Sequence, residues 1–120
     1  MPKSVLIVDD TNFMRKVLRD LISEHYDIVG EAADGEECLK MMEEHDPDLI
    51  TLDVIMPEMD GLEALPKIKE KDEEQKVIMV TSVGQHEKIT EAMNNGAGGY
   101  IVKPFDEEKV LEEIEKVFES

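Results

Sequence analysis

The sequence predicts a doubly wound α/β domain, a parallel five-stranded sheet between two layers of helices, built from five βα units. Three observations carry the prediction. Short apolar, β-branched runs recur about every 20–25 residues, room for a strand, a crossover helix and two loops. Between them, apolar residues fall at helical spacing. The runs themselves are apolar throughout rather than alternating, as expected of strands covered on both faces.

The elements follow in order. Val5-Leu6-Ile7-Val8 reads as the first strand. The first helix has Phe13, Met14, Val17, Leu18, Leu21 and Ile22 on its core face, Arg15, Lys16, Arg19 and Asp20 opposite, and Asn12 as its cap. Ile28-Val29-Gly30 reads as the second strand, and Asp34-Gly35 opens a helix that turns Leu39 and Met42 inward. Leu49-Ile50-Thr51-Leu52 is the third strand, followed by a helix opened by Asp60-Gly61 and buried through Leu62, Leu65 and Ile68. Val77-Ile78-Met79-Val80 is the fourth strand. Its helix carries Ile89, Ala92 and Met93 and is closed by Asn95-Gly96. Tyr100-Ile101-Val102 is the fifth strand, and Val110, Leu111, Ile114, Val117 and Phe118 mark the last helix. Alternation of this kind requires right-handed crossovers and a parallel sheet.

Composition narrows the function. The 120 residues suit one domain, spanning 1–120, which is expected to stand alone without an output domain. Leu, Ile, Val and Phe make up about 27% of the chain, above the roughly 20% below which a highly charged chain stays disordered. The 30 acidic residues outnumber 13 basic ones, for a net charge of -17. No basic stripe exists to neutralise phosphates, which argues against nucleic acid and anionic membrane surfaces. The longest apolar runs have four residues, far short of the ~20 of a membrane span. The N-terminus lacks the apolar stretch of a signal peptide. A cytoplasmic location is expected. Cys38, the single cysteine, is read as core filler.

Ligands of doubly wound sheets bind beyond the carboxyl ends of the strands. Those ends carry Asp9-Asp10, Asp53, Thr81-Ser82 and Lys103-Pro104, while Ala32-Ala33 offers nothing. Taken singly, each has an ordinary use as turn former, helix cap or solvated strand end. Together they converge on one crevice. Three carboxylates there would repel one another, and a divalent cation relieves this. Mg2+ suits an all-oxygen site of carboxylates, waters and phosphate oxygens. With Lys103 and the Thr81 hydroxyl beside it, a carboxylate so placed is a candidate acceptor for phosphoryl transfer.

The residues resemble those of response-regulator receiver domains. Val8-Asp9-Asp10, Leu52-Asp53 with Met56-Pro57-Glu58-Met59-Asp60-Gly61, Val80-Thr81-Ser82 and Gly99-Tyr100-Ile101-Val102-Lys103-Pro104-Phe105 carry the resemblance, in order and nearly end to end. It implies a flavodoxin-like three-layer sandwich with strand order 2-1-3-4-5. It implies Asp53 as phosphoacceptor, with Lys103 and Thr81 acting on the phosphoryl group. Mg2+ would be held by Asp10, Asp53 and the main-chain carbonyl of Ile55, with Asp9 helping through water. Lys103-Pro104 would be a cis peptide. Thr81 would move to bond a phosphoryl oxygen and Tyr100 would swap from outward to inward. That changes the face made by the fourth helix, fifth strand and fifth helix, a population shift driven by roughly -2 of added charge.

The resemblance further implies a signalling switch rather than a conventional enzyme, although one that assists its own phosphorylation and dephosphorylation. The phosphodonor would be a CheA-like histidine kinase. The downstream target would be a protein, such as a motor switch component in chemotaxis; a monomer is expected. A phosphorelay intermediate and a receiver excised from a longer regulator are the alternatives. Ile55 and Val83 sit where family members often have polar side chains that tune attack of water on the acyl phosphate, so slow self-dephosphorylation is expected. Other classes fit less well. A flavodoxin-like electron carrier needs a glycine- and hydroxyl-rich loop after the first strand, and Asp9–Met14 has no glycine. The P-loop signature is absent, and a dehalogenase-type phosphatase needs two Asp separated by one residue.

Overall fold

Ten elements alternate along the chain, and the computed structural model describes residues 2–82 and 84–119. The strands are β1 (Ser4–Val8), β2 (Asp27–Ala32), β3 (Leu49–Asp53), β4 (Lys76–Ser82) and β5 (Gly99–Lys103). The helices are α1 (Asn12–Ile22), α2 (Gly35–His45), α3 (Gly61–Lys71), α4 (His86–Asn94) and α5 (Glu107–Glu119). The strands form one parallel sheet in the order β2-β1-β3-β4-β5. Strand order reverses between β1 and β3, which opens a crevice above their carboxyl ends.

The sheet divides the core in two. Val5, Ile7, Leu49, Ile78 and Ile101 pack under α1 and α5, against Leu18, Ile22, Val110, Ile114 and Val117. Leu6, Val8, Ile50, Leu52, Val77 and Met79 face α2, α3 and α4, against Cys38, Met42, Leu65, Ile68 and Ala92. Successive residues of a strand point to opposite faces, so continuous apolar runs serve both layers. This holds for β1, β3 and β4. At the edge, β5 alternates instead: Ile101 is buried while Tyr100 and Val102 are exposed.

Several expectations need correction. Thr11, not Asn12, caps α1: its hydroxyl accepts the Met14 amide at 3.2 Å. Phe13 is 74% exposed and Met93 is also exposed, so neither is core. Both stand near helix ends. Arg15, assigned to the solvent face, is folded back over the end of β1, because its long side chain reaches past the helix edge. The strands also extend beyond the apolar runs, so Asp53, Thr81 and Lys103 are strand residues. The caps at Asp34 and Asp60, the closure at Asn95-Gly96 and the buried Cys38 agree with expectation. Burial pushes the Cys38 thiol up to about 12, which leaves it inert.

Candidate phosphoryl-acceptor site

Three strand ends build the site. Asp9 follows β1, and its amide still bonds the Ala32 carbonyl of β2 at 3.0 Å. One of its carboxylate oxygens accepts from the Thr11 amide (2.9 Å) and hydroxyl (3.1 Å), an Asx turn that bends the chain into α1. The Arg15 guanidinium donates to the Asp9 main-chain carbonyl and pairs with Glu31 of β2 at 3.4 Å. Arg19 holds the same Glu31 at 2.7 Å. The acidic turn is thus clamped from the helix side.

Asp53 closes β3 and is buried. Its backbone is fixed by α3, whose first residue, Gly61, donates its amide to the Val54 carbonyl at 2.9 Å. A Cβ at Gly61 would lie 2.2 Å from the Asp53 carbonyl oxygen. Only glycine lets the helix start so near the acidic strand end, which the Asp60-Gly61 pair had suggested merely as a cap.

Lys103 ends β5 and reaches back over β4. Its ammonium lies 3.3 Å from Asp9 Oδ2 and 3.4 Å from Asp53 Oδ2. The long lysine stem is what allows an edge strand to serve a site centred on β1 and β3. Burial raises the Asp53 carboxyl to about 6; the neighbouring Asp9 and Asp10 push the same way, and Lys103 opposes them. The Lys103-Pro104 peptide is cis.

Asp9, Asp10 and Asp53 each place a carboxylate oxygen within 4.8 Å of the others. Asp9 and Asp53 are buried and Asp10 is exposed at the opening. Three carboxylates face a single ammonium, and the protein supplies no second cation among the described residues at these oxygens. A hard divalent cation fits that donor set. A second grouping, Glu24, His25 and Glu107, has all three residues exposed and holds no buried charge in need of relief.

The remaining predicted residues fall around this centre. Thr81 is buried in β4, one residue past Val80, the register partner of Asp53. Its hydroxyl donates to Gln85, a residue the sequence reading passed over. Tyr100 points outward and is 45% exposed. Ile55 lies in the loop after β3 with its side chain exposed. Val83 lies outside the described residues.

Residues 5–115 match the response regulator receiver domain family. The chain is 47% identical over 117 residues to the chemotaxis protein CheY of Halobacterium salinarum, covering 98% of each. It is 43% identical over 117 residues to the chemotaxis protein CheY of Bacillus subtilis, covering 97% of this chain and 98% of that one. Among solved structures it is similar to the CheX–CheY–BeF3–Mg2+ complex from Borrelia burgdorferi, with a TM-score of 0.93 and 40% identity, covering 98% of this chain and 90% of that one. With motifs, topology and acidic crevice in agreement, the chain belongs to the response-regulator receiver-domain family.

Proposed function

We propose that the protein is a stand-alone, monomeric two-component response regulator in which Asp53 takes a phosphoryl group from the phosphohistidine of a CheA-like kinase. The observation that carries this reading is the Lys103 ammonium set between Asp9 and Asp53 at the carboxyl edge of the sheet. In the transfer, an Asp53 carboxylate oxygen forms a bond to phosphorus as the phosphorus–nitrogen bond breaks. The electron pair stays on the imidazole, which takes a proton from solvent. Asp53 must be ionised to attack, and a carboxyl near 6 is mostly so at neutral pH. Lys103 then shifts its partnership from carboxylate to phosphoryl oxygens, and Asp9 keeps the lysine oriented. Mg2+, held by Asp10, Asp53 and the Ile55 carbonyl with Asp9 through water, would neutralise charge on the transferring group.

Output is assigned to the α4-β5-α5 face. Tyr100 and Val102 stand exposed on β5, beside a groove lined by Phe105, Lys109, Glu113 and Lys116. On phosphorylation, Thr81 bonds the phosphoryl group and Tyr100 turns inward, which alters this face for a protein partner. The relatives named as chemotaxis proteins support a role in chemotaxis, acting in the cytoplasm on a flagellar or archaellar motor switch component.

The test is incubation with a small phosphodonor or beryllofluoride, with and without Mg2+, on wild type and Asp53→Asn. Magnesium-dependent modification that disappears in Asp53→Asn is expected. Modification that persists in the variant would move the acceptor elsewhere.

A further inference from the structure

The Thr81 hydroxyl is not free in this structure. It donates to the side-chain carbonyl of Gln85, and the same oxygen accepts the Ser82 amide at 2.9 Å. The geometry fixes the roles of all three groups. A backbone amide can only donate, so the Gln85 atom facing Ser82 must be the amide oxygen and not the nitrogen. That oxygen can only accept, so Thr81 must supply its proton. The hydroxyl has one proton to give. A phosphoryl oxygen on Asp53 is likewise only an acceptor, and the two demands exclude each other.

Gln85 is also placed at a joint. It is the cap residue of α4, and its main-chain carbonyl accepts the Lys88 and Ile89 amides, both at 3.1 Å. Its side chain makes no capping bond to that helix and reaches back to the end of β4 instead. Gly84, between them, has a φ of +94°, a left-handed conformation that glycine adopts without strain, and a Cβ built there would meet nothing within 4 Å. The strand end bearing Thr81 is thus tied by one amide group to the first turn of α4.

We propose that Gln85 is a latch for the resting state: its carbonyl holds the Thr81 proton, and a phosphoryl group on Asp53 must compete it away before β4 and α4 can rearrange. This rests on Asp53 being the acceptor. Gln85 is a positioning residue, acting through Thr81 on the switch rather than on the reacting atoms. Removing it takes away the nearer of the hydroxyl's two acceptors, the Ser82 carbonyl standing at 3.4 Å, and should tighten binding of a phosphoryl mimic by about two- to twelvefold, the range expected for one net hydrogen bond.

The experiment measures beryllofluoride affinity, with saturating Mg2+, in wild type, Gln85→Ala, Thr81→Val and the double variant, together with the Ser82 amide resonance and exchange rate without ligand. The expected results are tighter binding in Gln85→Ala, no effect of the same change in the Thr81→Val background, and faster Ser82 amide exchange in Gln85→Ala. Gln85→Glu keeps an acceptor oxygen and should bind no more tightly than wild type. Equal tightening in both backgrounds, or wild-type affinity in Gln85→Ala, overturns the latch while leaving the acceptor reading intact. Wild-type binding no stronger than that of Asp53→Asn overturns the acceptor reading, and the latch with it.

Discussion

Asp53 is held between surroundings that oppose its charge and an ammonium that favours it, and the first outweighs the second. A carboxyl raised from 3.8 to about 6 means that the folded state holds the proton more tightly than the unfolded chain, a contribution to stability fully present below pH 3.8. That contribution is lost as pH rises toward 6 and stays lost above it. Without Mg2+, Asp53→Asn should therefore raise stability at pH 7.5, with little effect at pH 4, in denaturant titrations. Mg2+ should stabilise wild type more at pH 7.5 than at pH 5, because protons compete for the same oxygen. A second expectation concerns the acyl phosphate itself. Ile55 and Val83 have no group to orient a water, so the phosphoryl lifetime should be long. Ile55→Asn or Val83→Glu should shorten it about tenfold or more, as positioned general catalysis does. Unchanged decay in both would refute that. The acidic residues and Lys103 were legible in the sequence because each follows directly on an apolar run. Gln85 and Arg15 were not, since what they touch depends on how the backbone turns after β4 and β1.

At the scale of elements, β3 shows how strictly the central strands are enclosed. Thr51 is fully buried, between Ile7 of β1 and Ile78 of β4, and its hydroxyl has no hydrogen-bond partner among the described residues. A buried, unsatisfied hydroxyl costs about 1–3 kcal/mol. Thr51→Val keeps the shape and removes the polar atom, so stability should rise by about 1 kcal/mol, read as a higher denaturation midpoint with an unchanged slope. All ten elements were legible from periodicity, because strand and helix repeats differ and the loops carry Asp-Gly or Asn-Gly signals. Their ends were less so. Lys103 and Asp53 are polar residues within strands, and apolarity alone stops one residue early at each. The helical wheel placed Phe13 in the core, but periodicity does not say how far along α1 the packing reaches, and the second residue of the helix is exposed. Strand order came from the family resemblance, since periodicity says nothing about which strands are neighbours.

Over the whole molecule, charge is distributed unevenly in use. Three of the thirty acids form the crevice. Residues 106–120 hold seven acids against Lys109 and Lys116, giving -5 next to the proposed output face. A partner for that face should bring basic groups, and its association rate should fall by about tenfold or more between low and physiological salt. Binding measured by stopped flow across ionic strength checks this, and a salt-independent rate would point to an apolar contact instead.

The Lys103 contacts join residues far apart in the chain: 94 residues to Asp9 and 50 to Asp53. Neither local helix formation nor pairing of the first four strands can bring that ammonium into place. The grouping of Asp9, Asp53 and Lys103 is therefore complete only once β5 is paired with β4. Under the proposed reading, a chain in which β5 has not docked lacks the ammonium that would receive the phosphoryl oxygens at Asp53.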